Sequence, residues 1–186
     1  HAPQGLGEAA DDRAFAKLID LPKDTSPRVR YFAAQGLARF GRADAVAPTI
    51  AMLRENADAD LVLRHAGVMV LARCAVKATL VSAGKDAAYS VRMPALLAMR
   101  RQQLPEITQF LSDADPRLVV EAARAISDVP IAAAYPQLAA LGQDAGKLNL
   151  KYELKGASVG AFGTRVAPLS ESLTLRVVNA GFRAGT

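Results

Sequence analysis

Acidic pairs at Asp58 and Asp60, and at Asp113 and Asp115, have the residue types for acid–base work or for calcium binding. Four arginines, Arg30, Arg64, Arg92 and Arg176, recur at one place in a repeated phrase, as an anion-binding ladder would require. Each has a structural reading that weighs more. The acids stand where helices begin, so capping of free backbone N–H groups accounts for them. The arginines are placed to reach an acid or a helix-end carbonyl of an adjacent unit. Cys74 is the only cysteine, beside Leu71 on the apolar side of a helix, and reads as a small core residue. With one cysteine there is neither an internal disulfide nor a Cys-x-x-Cys site. His65 has no second internal histidine with which to hold a metal. Gly156, Gly160 and Gly163 resemble a phosphate loop only superficially, since no Gly-Lys-Ser/Thr follows. The sequence therefore assigns no catalytic, cofactor-binding or metal-ligating residue.

The phrase that carries these residues is the strongest signal in the chain. It begins at Asp24, Asp58, Asp86, Asp113 and Ser170, as in Asp24-Thr25-Ser26-Pro27-Arg28-Val29-Arg30. A helical unit returning at about 30 residues predicts a solenoid whose units bury their apolar faces by stacking. Helix starts are expected near Ser26, Asp60, Ala88 and Asp115, with Pro27 and Pro116 in first turns. Val29, Phe32, Ala33, Leu37 and Phe40 follow at helical spacing, as do Leu118, Ala122, Ile126 and Val129. Gly41 and Gly84 close such segments. Second helices are expected after Pro48, Pro105 and Pro136, with a shorter one over 75–83.

The pattern changes between 142 and 168. Leu148, Leu150, Tyr152 and Leu154 alternate with polar residues, which favours a strand, and 158–166 could return to it. A β-hairpin insertion near 147–166 and an unstructured linker both fit. The expected organisation is an extension over 1–13, helical repeats over 14–141, the insertion over 142–168, and a truncated repeat over 169–186. The last first helix, with Leu173, Leu175, Val178 and Phe182, is expected to lack a stacking partner.

The formal net charge is +5, yet residues 1–144 contribute only +1 of it. Along that body arginines alternate with acids, which reads as a solvated surface rather than a nucleic-acid face. Trp is absent and aromatics are few, so base-stacking platforms are scarce. No apolar run is long enough to span a membrane. The chain opens on His1 and stops within a repeat, as a piece of a longer polypeptide would.

The Asp-x-Ser/Asp-Pro-Arg-Val/Leu starts and Pro-x-Ile/Leu second helices resemble HEAT repeats of the short bacterial sort, labelled PBS-lyase HEAT-like. Segments 63–69, 113–126 and 175–183 are similar to the HEAT segment of large exported bacterial proteins that join a sugar-dehydrogenase-like propeller to a c-type cytochrome domain. The resemblance implies an all-α superhelix, a HEAT-like solenoid, that contacts a protein or a neighbouring domain of the same chain. It implies no cofactor in this segment and, if it extends to the parent, a place outside the cytoplasm. Two other classes share the fold: phycobilin-lyase-like proteins, which need a bilin-sized pocket, and HEAT-like nucleic-acid-binding proteins, which need a basic face.

Overall fold

The computed structural model of the chain describes residues 12–143, 151–152 and 167–185. Residues 12–18 are helical (α1). There follow α2 (Pro27–Phe40), α3 (Val46–Asn56), α4 (Leu61–Cys74), α5 (Lys77–Ala83), α6 (Tyr89–Gln102), α7 (Pro116–Asp128), α8 (Tyr135–Ala140) and α9 (Leu169–Ala184). The long helices begin where the repeated phrase places them, and the fold is all-α. Asp60 accepts from the N–H groups of Val62 and Leu63, and Asp115 from that of Arg117, so two expected caps are present. Ser26 makes no side-chain cap. Instead Asp24 accepts from Ser26 N–H at 2.8 Å, and Asp86 and Asp113 do the same for Ala88 and Asp115 at the same distance. In these three phrases the first Asp thus folds the chain into an Asx turn just ahead of the helix. Gly41 ends α2 at φ 68°, where only a residue without Cβ sits freely.

One expected second helix is a different helix. Pro105–Ser112 forms a 3-10 helix that buries Ile107, Phe110 and Leu111. In a three-residue turn, positions i and i+3 eclipse, so the Ile107–Phe110 spacing fits this winding as well as an α-helix.

The chain falls into two compact units, His1–Gln102 and Gln103–Thr186. In the first, α2, α4 and α6 lie side by side, α3 backs α4 and α6, and α5 backs α6. A short 3-10 turn, Leu21–Lys23, backs α2. Each short element therefore pairs with the long helix that follows it, the reverse of the order expected from the sequence. In the second unit Pro105–Ser112 packs on α7, and α9 packs on α8 and α7. The helix expected to stand without a partner thus has one in α8, which precedes the insertion.

Lys151–Tyr152 (β1) pairs antiparallel with Ala167–Pro168 (β2), Lys151 opposite Pro168 and Tyr152 opposite Ala167. The expected return at 158–166, most of the expected strand around 148–154, and all but the last two residues of the expected extension over 1–13 lie outside the described residues.

Leu37, Met52, Leu53, Leu63, Leu71, Leu80, Leu96 and Met99 are fully buried in the first unit, as are Phe110, Leu118 and Ile126 in the second. Small residues set the closeness of approach. A Cβ on Gly67 would stand 2.6 Å from Leu53 Cδ2, so α3 and α4 meet where only glycine fits. Phe32 departs from the expected core, being 58% exposed. Its counterpart in α4, Ala66, is wholly buried. The Phe32 ring meets that of Tyr31 at 5.2 Å and the Arg28 guanidinium at 5.8 Å, both on its own helix.

Candidate functional surface

The candidate chemistry resolves into helix-start architecture. Asp58 accepts from Arg64 at 3.0 Å through both carboxylate oxygens. Asp115 receives its own helix's Arg117 guanidinium at 2.6 Å. The paired acids of the phrase thus point at backbone N–H groups and arginines next to them in sequence, and among the described residues no group of acids, histidines and cysteines could hold a metal ion.

The repeated arginines do not form one ladder. Arg30 crosses at 3.3 Å to Glu55 on α3, which packs on the next long helix, α4, and so makes the expected contact with an adjacent unit. Arg64 turns back to Asp58, and Arg92 to the carbonyls of Asp86 and Ala87 at 2.9 and 2.8 Å. Arg176 lies half-buried on α9. Arg64 and Arg92 are thus clasps, each holding the turn against its own helix.

Cys74 is buried, with Sγ 3.8 Å from the Leu37 carbonyl on α2. Burial pushes its thiol up, although the Gly41 backbone and the Arg73 charge oppose that, so the sulfur is a packed core atom rather than a nucleophile. His65 is exposed on α4. Gly156, Gly160 and Gly163 lie outside the described residues.

Two sets of residues escaped the reading of the sequence. Asn56 donates to the Asp60 carbonyl at 2.9 Å and accepts from Asp60 N–H at 3.2 Å. It spans a turn in which Ala57 and Asp58 both take positive φ, 46° and 64°. The second set changes the electrostatic picture. The near-neutral balance of 1–144 conceals a segregation, because α2, α4 and α6 together carry eight arginines and no Asp or Glu. Arginines do not alternate with acids on these helices; the acids sit in the turns and, as Glu55, on α3.

Residues 1–72 match the family model for HEAT repeats. That match covers the phrases at Asp24 and Asp58 with α2 and α3. Together with the helix-on-helix packing, it makes the fold an all-α, HEAT-like solenoid. HEAT repeats generally serve as scaffolds for contacts between proteins. No curated protein matches the chain. No helix of the described residues is long and apolar enough to cross a membrane.

Proposed function

We propose that this chain is a non-catalytic scaffold that holds a protein, or a neighbouring domain of its own polypeptide, against the outer faces of its helices. One observation carries this reading. The acids that recur with the repeat are consumed in building helix starts: Asp24, Asp86 and Asp113 in Asx turns, Asp60 and Asp115 in caps, and Asp58 with Arg64. What remains for recognition is the solvent-facing side of the long helices, repeated from unit to unit.

The likeness of three segments to the HEAT part of propeller–cytochrome proteins supports a narrower version, in which the chain is a docking segment between such modules. The sequence of the encoding gene on either side tests that version. A propeller upstream or a Cys-x-x-Cys-His haem site downstream would support it, and unrelated flanking domains would remove it.

Cross-linking of the full chain to its captured partner, read by mass spectrometry, tests the scaffold itself. The expected result is links to a protein from exposed positions of the long helices. Turnover of a substrate by the purified chain, with no protein retained, would overturn the proposal.

A further inference from the structure

Arg39, Arg73 and Arg101 each stand fifteen residues after the first Asp of their phrase, at Asp24, Asp58 and Asp86. They fall in the last turns of α2, α4 and α6, and each is exposed. These helix ends are tied side by side. Cys74 at the end of α4 lies against the Leu37 carbonyl of α2. Gln102 at the end of α6 donates to the Ala72 carbonyl of α4 at 3.0 Å and to the Ala75 carbonyl just past its end at 2.9 Å. Axes of packed helices are about 8–10 Å apart, so the three guanidinium stems rise from a row spaced at about 10 Å. The other repeated arginines are clasped by Glu55, Asp58 and the Asp86 and Ala87 carbonyls. Arg39, Arg73 and Arg101 make no hydrogen bond or ion pair among the described residues.

A cation in the last turn complements the helix dipole, and one such residue needs no other explanation. Three in register, on helices with no acid to neutralise them, form a surface of one sign, and that favours an anionic partner. In unit two the equivalent position is Asp128, which pairs with Arg124, so the row is confined to unit one.

We propose that this row is the docking surface for an acidic, extended peptide segment of a partner protein. The inference rests on the scaffold reading and names the chemistry of what the scaffold holds. An extended chain of the polyproline-II kind advances about 3.1 Å per residue with about three residues per turn, so carboxylates on every third residue share one face about 9 Å apart and match guanidinium groups about 10 Å apart. One turn before the row, Gln35, Met69 and Leu97 repeat at a second shared position, uncharged and half-buried. That lane suits the apolar side chains lying between the acids of such a segment. It offers no aromatic ring for a base to stack on, which disfavours single-stranded nucleic acid.

The test is fluorescence anisotropy on the full chain with a labelled peptide of four Glu-Leu-Ser units, at about 0.05 M and 0.5 M salt. The expected result is binding at low salt that weakens at high salt. Arg39→Gln, Arg73→Gln and Arg101→Gln should each cost about threefold in affinity and the triple variant on the order of 30-fold. Circular dichroism melts establish that the variants are folded, and Lys85→Gln, a charge removed away from the row, serves as control. No binding by the unaltered chain, or equal binding by the folded triple variant, would overturn the proposal. So would an oligothymidylate of equal charge that binds more tightly through the same arginines. Loss of the peptide result while the captured protein still cross-links to the chain sinks the row alone. Absence of any retained protein sinks the scaffold reading, whatever the peptide does.

Discussion

Arg54 on α3 donates to Asp86 at 2.6 Å, joining one short helix to the turn that starts α6, 32 residues further along the chain. Asp86 also accepts from Ala88 N–H at 2.8 Å. One carboxylate therefore closes a turn and clamps two repeats together.

That carboxylate makes stability depend on pH. Burial pushes the Asp86 carboxyl up, but the Ala88 N–H and the Arg54 and Arg92 charges outweigh it, and the group titrates below its ordinary value. A carboxyl lowered by folding contributes stability above about pH 4, its unfolded value, and loses it as pH falls through the folded value. Asp86→Asn should cost about 1 kcal/mol at pH 7, since Arg54 is half in water. The gap between the two proteins should narrow in denaturant melts as pH falls from about 4 through the lowered folded value. A gap that stays constant across this range would remove the electrostatic account.

Glycine replacements separate two kinds of close contact. At Gly67 the added Cβ meets Leu53, which is wholly buried and has nowhere to go. Gly67→Ala should therefore destabilise by about 1–3 kcal/mol, although alanine is the better helix former. At Gly36 the contact is Leu18 Cδ1 at 2.8 Å, the free end of a half-exposed side chain on α1. Gly36→Ala should change the melt by no more than about 0.5 kcal/mol, because Leu18 can swing aside. Equal effects at the two positions would contradict this packing.

Asn56 holds the turn between α3 and α4 through both ends of its amide. Asn56→Ala leaves the Asp60 N–H and carbonyl without those partners in a half-exposed turn, and should cost about 1–2 kcal/mol. Chemical denaturation measures it. A cost no larger than that of an exposed Asn→Ala change would show the turn to be self-supporting.

On α9 the apolar residues divide. Leu173 is wholly buried against its neighbours, whereas Leu175 and Phe182 are 63% and 82% exposed. Leu173→Ala should cost about 2–5 kcal/mol and Phe182→Ser less than about 0.5 kcal/mol in thermal melts. The opposite ranking would mean that Phe182, not Leu173, anchors the helix.

The starts of the long helices could be read because each carries its own local chemistry. An Asp two residues ahead, a Pro or a capping Asp, and apolar spacing of 3.6 depend on nearby residues alone. Which short helix pairs with which long one could not be read this way. Pairing is decided by tertiary contacts such as Leu53 against Gly67, and a repeat in a sequence has no intrinsic first element. Phe32 was misplaced for a related reason, since helical spacing marks a face but not whether a neighbour exists to cover it. The Arg39, Arg73 and Arg101 row was present in the sequence at the same interval as the phrase. Net charge over 144 residues averaged it away, and only the acid-free composition of three packed helices brings it out.

The central claim is that this chain works by holding a protein on its helical faces. Native mass spectrometry of the affinity-purified complex, with its absorbance spectrum, addresses this most directly. The account predicts a protein partner in fixed ratio, lost at high salt, with no nucleic acid signal and no visible chromophore. A chain that instead carries only nucleic acid, or a bound bilin, would contradict it.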